Sequence, residues 1–371
     1  MNILVLNWRD KFHPEAGGAE VHLHEIFSRL VSNGHTVCLL TTRYRGATRE
    51  DDIDGVKVFR LGRTYTFNWE APLLIRRLLK RMSFDCIIDD VNKIPFFTPR
   101  WFPRIPTGAF FHHLFGTTVF ELTAWPLAAY VLLLERLSAW GYRGRPCCTV
   151  SSSTAEELVE LGLDRHKIAI IENSVDTALF TPADPVDKDP NLLLYFGRLK
   201  KYKNLDILLD AVSALTERGR TIRLAIGGDG DDRSRLREKA AQLGIEDRVA
   251  FHGFVDESEK ISLYRKASIY INPSLKEGWG ITNIEANACG TAVIANNAPG
   301  LRDSVRDGET GLLYEENNRD DLVRCIEQLL DNDSLRHRFE RAGRAWAQTF
   351  SWDSSAKKVA KWLQTVVQHR S

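Results

Sequence analysis

The sequence predicts an α/β protein made of two Rossmann-like, doubly wound parallel-sheet domains, and three observations carry that prediction. Residues 3–40 run strand, glycine turn, helix, strand, the opening unit of such a sheet. The same scheme restarts near Leu192 with a different sequence. Between the two, residues 181–190 are rich in proline and aspartate and lack periodicity, which marks them as the domain boundary. A chain of 371 residues is long enough for two cores.

Composition narrows the function classes. A net charge of +1 gives no support for a nucleic-acid partner. The cysteines, at 38, 86, 147, 148, 289 and 325, lie mostly in apolar runs with no CxxC pair, so zinc and redox motifs are not expected and a reducing compartment fits. Residues 1–7 enter a strand without a basic-plus-apolar leader, and no apolar run reaches bilayer length. The expectation is a soluble cytoplasmic protein.

In the first half, residues 3–6 read as a buried strand and 9–16 as an irregular loop. Gly17 and Gly18 open a helix to about Ser32, with Val21, Leu23, Ile26, Phe27 and Leu30 on its apolar face. The G-x-G-x-x-G dinucleotide spacing is absent, and the glycine pair is also readable as a plain tight turn. Strands follow at 36–40, 56–61, 84–89, 107–111, 146–150 and 168–171, with helices at 71–81 and 118–140. The strand at 107–111 runs into His112 and His113, at the rim where parallel sheets bind ligands. Such a histidine can donate to a hydroxyl or a phosphate, or simply be satisfied in a loop. Arg76, Arg77, Lys80 and Arg81 alternate with leucines, a pattern that suits a solvated face or peripheral contact with an anionic membrane surface. The apolar run 125–134 reads as an interior helix, with a pocket for a lipid chain as the sharper alternative.

In the second half, the strand at 192–196 turns at Gly197-Arg198-Leu199 and leads through Lys203 into a helix ending near Leu215. Arg198 and Lys203 stand at a strand end and a helix start, a place suited to a diphosphate. Strands at 225–228 and 249–255 end in Gly228 and in Gly253-Phe254. The strand 267–272 stops at Pro273, and a glycine loop holding Glu277 feeds a helix over 281–288 that contains Glu285 and closes on Cys289-Gly290. Both carboxylates can face one cleft and accept from hydroxyls, while Gly280 and the N–H groups of Ile281, Thr282 and Asn283 suit an anion. A strand at 291–295, an edge strand at 311–314 and helices at 319–330, 334–349 and 353–367 complete the pattern.

Glu277-x7-Glu285, followed by Ala-Cys-Gly-Thr-Ala-Val-Ile-Ala and Ala-Pro-Gly-Leu-Arg-Asp, resembles retaining glycosyltransferases of the family-4 type, which have the two-domain GT-B fold. Residues 172–176 resemble the family's Asn-Gly-Val-Asp crossing with Ser174 in place of glycine, and residues 350–353 resemble its return crossing. The resemblance implies an acceptor domain over 1–176 joined by the helix 353–371, and a nucleotide-sugar donor domain over 177–352, facing each other across a cleft. It further implies transfer of a hexose from a UDP- or GDP-hexose, GDP-mannose included, to a hydroxyl of a glycan or lipid-linked acceptor, as in polysaccharide biosynthesis. Arg198 and Lys203 would hold the diphosphate, Glu277 the sugar, Glu285 the ribose, and Gly253 and Phe254 the base. Gly17, Gly18 and Gly228 would line the donor, and His112 is preferred over His113 for the sugar. Asp229-x-Asp231 resembles the family's Gly-Asp-Gly turn, so no metal and no cofactor are expected. An epimerase on the same fold, or a silent carbohydrate- or nucleotide-binding protein, stays open.

Overall fold

A computed structural model describes residues 1–92, 94–182 and 188–369. Contacts divide the chain into two units, Met1–Asn173 with Trp352–Ser371, and Ser174–Ser351. Of the boundary stretch 181–190, residues 183–187 lie outside the described residues.

In the first unit the elements are β1 (Asn2–Leu6), α1 (Gly18–Ser32), β2 (Thr36–Thr42), β3 (Glu50–Ile53), β4 (Val56–Gly62), α2 (Phe67–Leu79) and β5 (Cys86–Val91). Then come α3 (Thr98–Trp101), β6 (Thr107–Phe111), α4 (Val119–Leu122), α5 (Trp125–Gly141), β7 (Cys147–Thr149), α6 (Ser152–Glu160) and β8 (Ile168–Ile170). The sheet order is β3-β4-β2-β1-β5-β6-β7-β8, parallel apart from β3, which runs antiparallel to β4. Strands buried on both faces read as apolar runs, as in β1, while the buried β5 runs apolar over Cys86–Ile88 and then carries the buried Asp89 and Asp90.

The second unit holds β9 (Asp189–Phe196), α7 (Leu205–Glu217), β10 (Arg223–Gly227), α8 (Arg233–Gln242), β11 (Val249–Gly253), α9 (Glu257–Lys266), β12 (Ala267–Asn272) and α10 (Ile281–Ala288). It continues with β13 (Ala292–Asn296), α11 (Leu301–Ser304), β14 (Gly311–Tyr314), α12 (Arg319–Leu330) and α13 (Asp333–Ala347). Its sheet, β11-β10-β9-β12-β13-β14, is wholly parallel, with β14 at an edge. One core runs under it, from Leu193 and Ile226 to Ile326 and Phe339.

α14 (Trp352–Gln368) belongs to the first unit. It buries Val359, Leu363 and Val366 completely, and each contributes about 1.5–3 kcal/mol. β6 makes room for it at Gly108, where a Cβ would stand 2.8 Å from the Trp362 ring and 2.9 Å from Val366.

Four readings change. The helix expected over 118–140 is broken, because Thr123 is extended and α5 restarts with Pro126 in its first turn. A continuous helix would need the N–H that Pro126 lacks and would drive its ring into the carbonyl four residues back. α5 is not interior either: Trp125, Leu133, Leu137 and Trp140 all face outward. Val21, assigned to the apolar face of α1, is exposed. The β3–β4 hairpin was not expected, although Asp54 and Gly55 carry its signal. Both have positive φ, at 52° and 82°, as a tight Asp-Gly hairpin turn requires.

Candidate functional site

The second unit gathers its charged side chains where β9 and β12 end. Beyond Phe196 the chain turns at Gly197, exposes Arg198, and makes one 3-10 turn over Lys201–Lys203 before Asn204, at φ 55°, starts α7. Lys203 is largely buried and its ammonium is ion-paired with Glu277. It also stands 5.0 Å from the centre of the Tyr202 ring. Burial pushes the Lys203 ammonium down, but Glu277 and Tyr202 outweigh it and leave the net shift upward. The backbone fixes this pairing, since Leu275 N–H donates to the Tyr202 carbonyl at 2.9 Å.

Glu277 is held from the other side by Pro299 and Gly300. Its N–H donates to the Pro299 carbonyl at 3.2 Å. Gly300 has φ 81°, and a Cβ there would lie 2.1 Å from the Glu277 carbonyl oxygen. No other residue fits that position.

Gly280, at φ 85°, begins α10, and a Cβ on it would come within 2.9 Å of Asn283, Leu301 and Ser304 atoms. Of the three amides expected to meet an anion, Asn283 is already committed: its N–H donates to the Gly280 carbonyl at 2.9 Å. Its side chain is fully buried, accepting from Asn272 at 3.1 Å and donating to Ser304 at 2.9 Å. Asn283 is therefore a packing residue, and the half-buried Ile281 and Thr282 remain as the opening amides of the helix.

Glu285 is also already engaged. Lys260 Nζ donates to its Oε1 at 2.6 Å and the Tyr264 hydroxyl to its Oε2 at 2.9 Å. Each carboxylate oxygen has a further lone pair, so the group can still accept from a ligand hydroxyl. The Lys260 ammonium lies over two rings, 5.4 Å from Phe180 and 5.2 Å from Phe196. Tyr270 relates the two glutamates. Its hydroxyl donates to the Phe196 carbonyl at 3.3 Å, and burial first, with Glu285 and Glu277 adding to it, pushes its pKa up.

The two glycine turns after β9 and β10 meet backbone to backbone. A Cβ on Gly228 would strike the Gly197 carbonyl at 2.0 Å, and Gly228 N–H donates to the Gly253 carbonyl at 2.7 Å. Gly253 has φ 71°, with the Arg233 guanidinium 3.4 Å from where its Cβ would be. Phe254 is 89% exposed, so it presents a bare ring face beside this turn.

Gly17, Gly18 and His112 lie in the first unit, in a different setting. Gly17 N–H donates to Glu20 Oε2 at 2.7 Å. From there a buried chain runs on: Asn92 donates to Glu20 and to Asn7, both at 2.9 Å, and Asn7 donates to Asp90 at 2.6 Å. Asp90 in turn meets His112 Nε2 at 2.7 Å. Facing a carboxylate, that nitrogen carries the proton, so in the neutral ring Nδ1 is an acceptor. The expected donor role of His112 toward a hydroxyl or phosphate then requires the charged ring. His22 packs against it, with ring centres 5.0 Å apart. Burial chiefly, and His112 next, push the His22 pKa well down, so it stays neutral. His113 sets its ring edge-on to Phe115 instead.

Lys260, Tyr264, Tyr270, Asp90 and Asn92 are the residues that the sequence reading missed. Asp89-Asp90 at a strand end was a usable signal for one of them. Lys260 and Tyr264 are four apart on one helix face, but nothing local pairs them with Glu285. Among the described residues no cluster of histidine, cysteine and carboxylate side chains could hold a metal ion, and no helix is long and apolar enough to cross a membrane.

Lys203 and the α10 amides can receive a diphosphate, the two glutamates can accept from hydroxyls, and Phe254 can stack on a base. The chain is similar to known glycosyltransferases. A model of glycosyl transferases group 1 matches residues 179–346, and one of Glycosyltransferase Family 4 matches residues 16–179. A D-inositol 3-phosphate glycosyltransferase of Streptomyces scabiei is 33% identical over 59% of this chain and 54% of the relative. The chain thus spans about half the length of the curated relatives of that name that it matches. An uncharacterized glycosyltransferase of Methanocaldococcus jannaschii is 25% identical over 97% of both chains. Sucrose-phosphate synthase from Thermosynechococcus elongatus has a TM-score of 0.83 at 20% identity, covering 98% of both chains. Anabaena HepE in complex with UDP-glucose has a TM-score of 0.76 at 20% identity, over 98% of this chain and all of the other. These likenesses show the fold, two parallel-sheet Rossmann-like units of the GT-B class.

Proposed function

The chain belongs to the glycosyltransferases described by the group 1 and family 4 models, and from that premise we propose that it is a retaining hexosyltransferase. It takes a hexose from a nucleoside-diphosphate hexose, UDP or GDP, and delivers it to a hydroxyl of a glycan or lipid-linked acceptor. One observation carries this reading: Lys203 is paired with Glu277 at the strand ends of the second unit. The pair is neutral at rest, so an arriving diphosphate can take over the ammonium while Glu277 turns to the sugar hydroxyls.

In this reading each group has a separate task. Lys203 and the exposed Arg198 offset charge that grows on the departing diphosphate, with the amides of Ile281 and Thr282 on its distal phosphate. Glu285, fixed by Lys260 and Tyr264, accepts from the ribose hydroxyls with its remaining lone pairs. Phe254 and the Gly253 backbone flank the base. Retention follows if the leaving phosphate oxygen takes the acceptor proton on the face it vacates, which makes Glu277 a positioning group and not a nucleophile. The countercharge comes from Arg198 and Lys203, and no divalent cation is called for.

UDP-glucose heads the donors to test, because solved proteins of this fold hold UDP and UDP-glucose. A panel of nucleotides and nucleotide sugars scored by thermal shift identifies the donor, since ligand at a hundred times Kd adds about 2.7 kcal/mol. Glu285→Ala should then weaken donor binding strongly. Wild-type affinity in that variant, or a product of inverted anomeric configuration by NMR, defeats the assignment.

A further inference from the structure

We propose that α2, α3 and α5 of the first unit form a face that docks on the surface of an anionic lipid bilayer. The face is apolar where a water-facing surface should be polar. Along α5, Trp125, Leu133, Leu137 and Trp140 fall on one outward stripe, with Trp125 72% and Trp140 58% exposed. Along α2, Trp69, 66% exposed, and Leu73 share a stripe with Arg76 and Arg77. A monomeric protein rarely leaves so many large apolar side chains in water over two neighbouring helices.

The stripes are one surface. Trp69 Nε1 donates to the Tyr130 hydroxyl at 3.2 Å and Asn68 Nδ2 donates to it at 3.3 Å, which joins the first turn of α2 to α5. At the far end the Arg100 guanidinium of α3 lies 4.2 Å from the centre of the Trp140 ring, beside the exposed Trp101.

Charge decides the occupant. The exposed residues of α2 and α5 include Arg76, Arg77 and Arg136 and no carboxylate, and Lys80 follows directly on α2. The nearby acids are used elsewhere: Glu70 is paired with Arg63 and Thr66, and Glu135 accepts from the Phe115 and Gly116 amides. A second copy of the chain would set this cationic face against itself. An anionic bilayer instead takes indole rings at its interfacial depth and lysine or arginine at its headgroups.

The test is co-sedimentation of the full chain with phosphatidylcholine vesicles, with and without phosphatidylglycerol. We expect binding to the anionic vesicles only, weakened by salt, with tryptophan fluorescence quenched by brominated lipid. The triple variant Trp69→Ser, Trp125→Ser, Trp140→Ser, and separately Arg76→Glu, Arg77→Glu, Lys80→Glu, should each lose about tenfold or more in partition. All residues of the second set are exposed, so that variant keeps the test valid if the first does not fold. The proposal is overturned if wild type stays in solution with anionic vesicles, or if both variants bind like wild type. It is equally overturned if wild type forms a dimer in light scattering that the tryptophan variant abolishes. Vesicle binding requires no nucleotide, so its failure leaves the donor reading intact, and the reverse.

Discussion

At the strand ends of the second unit the buried polar groups are ions in pairs, Lys203 with Glu277 and Lys260 with Glu285. At the strand ends of the first they form a chain of amides and carboxylates, Glu20, Asn92, Asn7 and Asp90, that ends on His112. The same sheet architecture thus offers two kinds of surface. An ion pair can give up its cation to a charged ligand while the freed carboxylate turns to the ligand's hydroxyls, which suits a diphosphate carrying a sugar. The amide chain ties its members to one another, leaves the buried Asn92 Oδ1 without a partner among the described residues, and suits a neutral ligand rich in hydroxyls.

The sharpest way to break this contrast is to remove one charge from the second unit and one ring from the first. Lys203→Met should lower kcat/KM for the donor by about a thousandfold, because it strips countercharge from the leaving group and strands Glu277. His112→Ala should lower turnover yet leave the nucleotide Kd within about twofold, measured by calorimetry. Equal effects of both variants on nucleotide binding would erase the distinction.

Next in size is the backbone. Gly300→Ala puts a Cβ into the Glu277 carbonyl at a positive φ, and should cost about 3–4 kcal/mol in denaturant unfolding. An alanine at the extended Gly17 meets no such constraint and should cost far less.

A pH titration sharpens the comparison from the other side. Asp89 of the first unit is fully buried and accepts from the Tyr142 hydroxyl at 2.6 Å and from the Thr98 hydroxyl at 2.8 Å. Burial pushes its carboxyl from 3.8 up to about 6, against the pull of those hydrogen bonds. Between those values the folded chain keeps a proton that the unfolded chain has released, so stability falls as pH rises through that window. Wild type should lose about 2 kcal/mol from this site between pH 4 and pH 7, a fall that Asp89→Asn lacks. The smallest effect expected is none: EDTA should leave sugar transfer unchanged if Arg198 and Lys203 supply the countercharge.

The sequence made the second unit easier to read than the first, for a physical reason. Around Glu277 a wholly buried strand, a proline stop, a glycine loop and a short helix follow in order, so local chemistry alone gives the place of each carboxylate. The helix that carries Lys260 and Tyr264 went unnoticed because its partner is Glu285, across an intervening strand. In the first unit, the apolar residues of α5 look the same in sequence whether a protein core or something outside covers them. Pro126 announced the break before α5, and Asp54-Gly55 the β3–β4 turn. The network from Glu20 to His112 is assembled from four separate segments, which no periodicity reveals.

α14 packs beside α1 and β6, yet the whole of Ser174–Ser351 lies between it and the sheet it covers. During synthesis the eight strands of that sheet leave the ribosome long before the helix that seals them. The pocket beside Gly108 that Trp362 and Val366 will fill must wait through the making of an entire second sheet. The half begun first is thus finished last, and a premature stop anywhere in the later half would leave both halves defective.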